Sequence, residues 1–238
     1  MIKEAMKYFL EQSQPEYVDI DGKKYSNKSF YRVAQTPRAD AIRMSTLSSL
    51  VEYIKSDVDT MKGNMLVHVV SPTEVVLHSQ LDEDRERECV VGVKAQLPNF
   101  EFETFLEKEA FTIALQSKFA DSEDKALVMQ FAGTVESGTV TQYGDDGVSQ
   151  KATIKTGIAS KSEALVPNPV CLVPYRTFLE VEQPKSSFIF RMKEDKYGGI
   201  MCAIFEEDGG AWKLEAMNNV KEYLKEQLKD CNGYTVIS

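Results

Sequence analysis

The densest group of residues that could recognise a ligand lies between Pro174 and Arg191. A guanidinium offers a planar fork to a phosphate or carboxylate, aromatic rings offer faces for stacking, and Ser, Thr and Gln offer neutral hydrogen bonds. Such a set suits a nucleotide-like ligand. The alternative is structural: both arginines of the segment pair with Glu180 and Glu182, and the aromatic rings fill the core. The candidate ligand-binding residues are Tyr175, Arg176, Thr177, Gln183, Ser187 and Arg191.

A second candidate anion site combines Arg43 with Ser45 and Thr46, which the sequence places at the start of a helix. The free N–H groups at a helix N-terminus and the helix dipole attract anions. The alternative is an ordinary N-cap at Ser45 or Thr46 beside a solvated arginine. Arg43 and Thr46 are therefore added to the candidate ligand-binding residues.

The residue types that most catalytic mechanisms need are scarce or badly spaced. The chain has 2 histidines, and it contains no G-x-S-x-G, H-E-x-x-H, G-x-G-x-x-G or G-x-x-x-x-G-K-[ST] motif. We therefore expect no catalytic residues and no cofactor, and a protein that is not an enzyme. A hydrolase that holds a metal with carboxylates alone stays open as a further hypothesis, although no spacing favours a particular set of Asp and Glu.

A metal site formed by sulfur or imidazole ligands is not expected. The 4 cysteines form no C-x-x-C pair, and we interpret them as reduced thiols. The segment Asp145-Asp146-Gly147 lacks the spacing of a calcium loop and is typical of a β-turn. The sequence thus predicts no metal.

The composition excludes several classes of protein. A content of 42% hydrophobic and 27% charged residues over 238 residues is that of a globular protein. A net charge of −9 argues against a protein that coats duplex DNA, since such binding neutralises phosphates with Lys and Arg. No stretch approaches the ~20 apolar residues that cross a bilayer, and the charged N-terminus is not a signal peptide. We expect a cytoplasmic protein that does not contact a membrane.

The hydrophobic periodicity predicts an α+β fold, in which helices are interleaved with antiparallel β-hairpins and a β-meander. We expect one domain over residues 1–238, or alternatively two subdomains over 1–133 and 138–238. The helices are predicted near residues 2–12, 47–54, 103–119, 122–131 and 211–229, the last being a long C-terminal helix. The paired strands are predicted over residues 16–26, 65–95, 139–158 and 187–205.

Four segments, spread over roughly residues 47–228, carry a resemblance to one family. They are MSTLSSLVEYIKS, DDGVSQKATIKTGIAS, PNPVCLVPYRTFLEVEQPKSSFIFRM and CAIFEEDGGAWKLEAMNNVKEYL. In the overall sequence pattern of these four segments, the chain resembles the YfdQ-like family of phage and prophage proteins. The resemblance implies a phage-encoded protein that acts in the cytoplasm of the bacterial host, and it implies no functional residue. The segment around His78 departs from the family pattern, which has a Pro-Gly-His-type turn, so no role transfers to that histidine.

Together these features predict a non-enzymatic, phage-encoded binding protein. Its predicted role is counter-defence, by sequestering a nucleotide-derived immune signalling molecule of the host. Its expected partners are a small nucleotide-like ligand and further copies of itself in a homo-oligomer, because many ligand sites form between protomers. The alternative is an accessory protein of phage DNA replication or recombination that binds single-stranded DNA or a partner protein, a role that the acidic charge disfavours.

Overall fold

The structure is a computed structural model. It describes residues 2–12, 17–20, 23–26, 38–61, 63–82, 85–136, 139–142, 150–155 and 160–238. The chain folds into two compact units, Met1–Ala39 and Asp40–Ser238.

The first unit contains one helix and one hairpin among its described residues. Helix α1 spans Ile2–Gln12. Strands β1, Tyr17–Ile20, and β2, Lys23–Ser26, pair antiparallel. Both elements confirm the sequence prediction for this segment.

The second unit contains four helices among its described residues, and the mixture of helices and sheets is an α+β fold, as predicted. The helices are α2 Leu47–Ser56, α3 Lys108–Lys118, α4 Glu123–Thr134 and α5 Trp212–Gln227. The strands are β3 Ile42–Met44, β4 Met65–Ser71, β5 Glu74–His78, β6 Cys89–Lys94, β7 Leu106–Glu107, β8 Thr141–Gln142, β9 Gln150–Lys155, β10 Lys161–Leu165, β11 Val170–Leu172, β12 Ser186–Glu194, β13 Ile200–Glu206 and β14 Tyr234–Ile237.

A five-stranded sheet in the order β14-β4-β5-β6-β3 positions the candidate site. Strands β4, β5 and β6 form the predicted antiparallel meander. The edge strands differ from the prediction, because β14 runs parallel to β4 and β3 runs parallel to β6. The sheet is therefore mixed. Parallel neighbouring strands are joined by long connections, so no turn motif in the local sequence predicts their pairing.

Strict alternation gives this sheet one buried face, which α2 and α5 cover. In β4 the side chains of Met65, Val67 and Val69 are buried, and the residues between them are more exposed. Helix α2 contributes an apolar stripe at helical spacing, as predicted. Phe178 joins this core from a distant loop. The helical residues of the core are Leu47, Leu50, Val51, Tyr53, Ile54, Val220 and Leu224, and Leu228 joins them directly after the end of α5.

A second hydrophobic core joins helices α3 and α4 to the sheet β11-β12-β13-β7 and to strand β9 of the sheet β10-β9-β8. Strands β12 and β13 form the predicted hairpin, in which Phe190 lies opposite Ile204. The helix predicted over 103–119 begins later, at Lys108, because Leu106 pairs with Cys202 in the sheet and Glu103 has a positive φ of 62°. Tertiary pairing thus overrides helical spacing here.

The end of the chain is close to the prediction but adds a strand. Helix α5 falls within the predicted range 211–229, and β14 follows it. Among the described residues no helix combines the length and the apolar character needed to cross a membrane. The proposed turn at Asp145-Asp146-Gly147 lies outside the described residues, as do residues 137–138 at the suggested subdomain boundary. That division stays a prediction.

Candidate ligand-binding site

Arg176, the central residue of the first candidate group, is buried and bound to protein groups. Its guanidinium donates to Glu206 Oε1 at 2.7 Å and to Ser186 Oγ. The guanidinium carbon lies 4.0 Å from the centroid of the Trp212 ring. Its acidic partner is thus Glu206 rather than Glu180 or Glu182. Burial lowers the pKa of Arg176 to about 10, against the opposing effect of the nearby acids.

Asp208 connects Arg176 to the start of helix α5. Its Oδ2 accepts from Ser186 Oγ at 2.5 Å, and its Oδ1 accepts from the N–H of Gly210 at 2.9 Å. Although partial burial raises the pKa of Asp208, these hydrogen bonds and the charge of Arg176 bring it below its ordinary value. The network therefore ties the chain at Arg176 to the first turn of α5. Two N–H groups, Arg176 Nε and Trp212 Nε1, are buried there and have no hydrogen-bond partner among the described residues.

Hydrogen bonds of the Thr177 and Gln183 side chains fix the conformation of residues 176–183, the 176–183 loop. The Thr177 hydroxyl donates to the carbonyl of Pro72 at 2.6 Å. Gln183 Oε1 accepts from the N–H groups of Arg176 and Thr177, and its Nε2 donates to the carbonyl of Phe178 at 2.9 Å. Both side chains are buried. They satisfy the backbone of the loop, which is the usual task of buried amides and hydroxyls.

The other three residues of the first group do not join Arg176 in a pocket. The N–H of Tyr175 donates to the carbonyl of Lys118 at 3.0 Å. Ser187 Oγ donates to Glu207 Oε2 at 2.6 Å. Arg191 lies half-buried on β12, opposite Ala203. These three residues and Arg176 therefore do not form one ligand site.

Arg43 and Thr46 lie at two adjoining clefts. The first cleft has a volume of about 680 Å³, and the second has a volume of about 340 Å³. The polar lining of the first cleft is Arg43, Ser45, Ser49, Lys94 and Gln96. The second cleft is lined by Thr46, Ser48, Leu97, Phe178, Leu179 and Glu180. Both clefts also share Ser45, Ala95 and Gln96.

The topology explains why these residues meet. Strands β3 and β6 are parallel neighbours, so their carboxyl ends lie at the same edge of the sheet. Ser45 follows β3 directly and Ala95 follows β6 directly, and helix α2 begins at that edge. In open sheets, ligands commonly bind outside the carboxyl ends of parallel strands. The two clefts occupy this position.

The first cleft contains two cations that the described residues leave unpaired. Arg43 and Lys94 are exposed, and neither side chain makes a hydrogen bond or an ion pair with a described residue. The chain as a whole carries 37 acidic against 28 basic residues. Lys94 lies opposite Glu74 of β5 in the sheet, but no acidic side chain of a described residue lines the cleft itself, so the two cations make this cleft more positive than the acidic protein around it.

The N-terminus of α2 is capped by the protein itself. Thr46 is the N-cap, and its Oγ1 accepts from the N–H of Ser49 at 3.2 Å. The N–H of Ser48 donates to Glu180 Oε1 at 3.2 Å. These two donors are occupied, so the capping alternative describes Thr46. The cations, not the helix terminus, make the first cleft attractive to an anion.

Three important residues of the clefts were not singled out as ligand-binding from the sequence. Lys94 ends a strand whose parallel neighbour is unknown until the sheet is assembled. Gln96 follows it, and Glu180 is suggested by the sequence only as an ion-pair partner. The sequence signal that lies at these clefts is Arg43 directly before the N-cap of α2.

Comparison with known proteins gives no relative from which a site could be transferred. No family model, no curated protein and no solved structure matches this chain.

The described residues contain no group of three or more His, Cys, Asp or Glu arranged to hold a metal ion. The two histidines, His68 and His78, lie on neighbouring strands with their ring centroids 6.4 Å apart, and neither is in the lining of the two clefts described above.

Proposed function

We propose that the protein binds a small phosphate-bearing ligand of nucleotide type at the first cleft and does not transform it. The observation that carries this proposal is the pair of unpaired cations, Arg43 and Lys94, at the carboxyl ends of two parallel strands. Arginine and lysine are the usual phosphate ligands of proteins. The volume of about 680 Å³ lies within the range of roughly 300–1,000 Å³ of small-molecule sites.

The lining of the first cleft supports binding more than turnover. Arg43 can offer two parallel N–H groups to a phosphate, and Lys94 adds a point charge. The hydroxyl of Ser45 and the amide of Gln96 can complete the hydrogen bonds, whereas the Ser49 hydroxyl is already bonded to Thr46 Oγ1. Activation of a serine hydroxyl requires an adjacent base, and no carboxylate, imidazole or thiol of a described residue lines this cleft.

The biological role follows from the context that the sequence resemblance implies. In a phage-infected cell, a protein that holds a nucleotide without changing it lowers the free concentration of that nucleotide. We therefore propose counter-defence by sequestration of a nucleotide-derived host signal. Assembly into a homo-oligomer stays a prediction, which the size of the protein in solution would test.

The alternative role, binding of single-stranded DNA, finds no specific support in the clefts. Single-strand grooves combine a continuous positive channel with aromatic rings for the bases. The described lining of the first cleft contains no aromatic residue. The second cleft contains Phe178, which is buried in the core, and a carboxylate, Glu180. Oligonucleotide binding that falls steeply with salt would restore this alternative.

Calorimetric titration with pyrophosphate and AMP at low salt tests the proposal. We expect Arg43→Ala and Lys94→Ala each to weaken binding about tenfold or more, since a hydrogen bond to a charged group contributes about 1.5–3 kcal/mol. Both side chains are exposed, so the melting temperature should change little.

The matched control is Lys196→Ala, which removes the same charge from the exposed β12–β13 turn. This variant should bind as the unaltered protein does. Equal affinities of the unaltered protein and the three variants would exclude the first cleft as the site. If the unaltered protein binds neither pyrophosphate nor AMP, the proposed function is wrong.

A further inference from the structure

The second cleft continues the first and has a different chemistry. The two share Ser45, Ala95 and Gln96, so one ligand can extend from the first cleft into the second. Leu97 and Leu179 give the second cleft an apolar wall, and Glu180 gives it one carboxylate. A molecule that fills both clefts therefore meets cations at one end and an anion at the other.

Glu180 has hydrogen-bond capacity that the protein does not use. Its Oε1 accepts from the N–H of Ser48 at 3.2 Å, while no donor among the described residues reaches its Oε2. An ionised carboxylate is an acceptor only, so the free oxygen suits a hydroxyl of the ligand. It also repels a second phosphate. The second cleft thus favours a neutral, hydroxyl-bearing group.

The position of Glu180 is fixed by the 176–183 loop. Thr177 fastens one end of this loop to the β4–β5 turn through the carbonyl of Pro72, and Gln183 bonds its backbone from within. Phe178, only 1% exposed, anchors the same loop in the core. The carboxylate is therefore held in place before a ligand arrives, which reduces the entropy lost on binding.

We infer that the two clefts together bind a ribonucleoside phosphate in one orientation. The phosphate lies beside Arg43 and Lys94, and the ribose hydroxyls donate to Glu180. Acidic side chains recognise ribose hydroxyls in this way in dinucleotide-binding proteins. This inference rests on the proposed function of the first cleft and adds the class of ligand and the residue that selects it.

Calorimetry of the full chain with three probes tests the inference: AMP, 2′,3′-dideoxy-AMP and pyrophosphate. We expect the unaltered protein to bind AMP about tenfold or more tightly than dideoxy-AMP, because only AMP can donate to Glu180. In Glu180→Gln the amide oxygen can still accept from Ser48, so α2 stays capped. This variant should bind AMP as weakly as dideoxy-AMP, with pyrophosphate binding unchanged or tighter.

The possible failures of the inference and of the proposed function are distinguishable. Equal affinity of the unaltered protein for AMP and dideoxy-AMP, with pyrophosphate still bound, would overturn the role of Glu180 and leave the first cleft intact. Failure of both AMP and pyrophosphate to bind would overturn the proposed function and this inference with it. If Glu180→Gln does not fold, the comparison of AMP with dideoxy-AMP on the unaltered protein decides the question.

Discussion

At the scale of single residues, two arginines of the same chemistry have different tasks because of what surrounds them. Arg176 is 7% exposed and its charge is matched by Glu206 and Asp208. Arg43 is exposed and has no partner among the described residues. A buried charge must be paired in order to be tolerated, whereas an exposed, unpaired one remains available to a ligand.

The first prediction at this scale concerns the stability that Arg176 provides. We expect Arg176→Ala to lower the free energy of unfolding by about 2–3 kcal/mol, since it removes the ion-pair partner of Glu206 and the cation beside Asp208. Glu206 is 30% exposed, so water solvates part of the remaining charge and keeps the loss moderate. Urea denaturation measures this effect.

Arg176→Lys serves as the control for that variant, since it keeps the charge while losing the fork and the stacking on Trp212. It should be intermediate in stability. An unchanged free energy of unfolding together with lost affinity for AMP would instead make Arg176 a ligand-binding residue.

At the scale of elements, prediction from sequence succeeded where the relevant contacts are local. The N-cap and apolar stripe of α2, the meander from β4 to β6 and the hairpin of β12 and β13 depend on residues close together in the chain. The parallel pairs of β3 with β6 and of β14 with β4 depend on strands far apart. No local pattern specifies such neighbours.

The same limit applies to the candidate site. Arg43 and Thr46 were identifiable because an arginine stands directly before a predicted helix N-cap in the sequence, whereas strand β3, which contains Arg43, was not predicted. Lys94 and Glu180 reach the same edge only through sheet assembly and through the 176–183 loop. The recognition-type residues in and beside that loop were conspicuous by type, yet burial gives Arg176, Thr177 and Gln183 structural hydrogen bonds.

Substitution of Gln183 is expected to loosen the 176–183 loop. Gln183 Nε2 donates to the carbonyls of Thr177, Phe178 and Val181. Gln183→Glu keeps the shape of the side chain but places a carboxylate against these acceptors. We expect a loss of about 2 kcal/mol in the free energy of unfolding and a severalfold weaker affinity for AMP, because Glu180 is held less firmly.

Thermal denaturation and calorimetry of the same preparation measure both effects of that substitution. Glu182→Gln, an exposed position of the same loop, is the control and should leave both unchanged. A Gln183→Glu protein that matches the unaltered chain in stability and in affinity for AMP would show that the hydrogen bonds of Gln183 do not support the site.

At the scale of the whole second unit, the 176–183 loop connects the two hydrophobic cores. Leu172, shortly before it, belongs to the core of α3 and α4, whereas Phe178 belongs to the core of α2 and α5. The loop also carries Glu180 into the second cleft. The fold and the candidate site therefore share one segment, so substitutions that loosen it are expected to affect both.

The net charge of −9 sets the electrostatic background for any ligand. A strongly acidic molecule repels anions at long range, so an anionic ligand must be held by short-range contacts. The side chains of Arg43 and Lys94, which make no ion pair with a described residue, provide such contacts locally. This arrangement favours a small anion that fits the cleft over a long polyanion that would also meet the acidic surroundings.

The most direct test of this account is a crystal structure of the protein with AMP at a concentration that calorimetry shows to be saturating. We expect the phosphate within hydrogen-bond distance of Arg43 and Lys94, and the ribose beside Glu180. Electron density for AMP at another place, such as beside Arg176 and Trp212, would contradict the central claim, as would empty clefts in the saturated crystal.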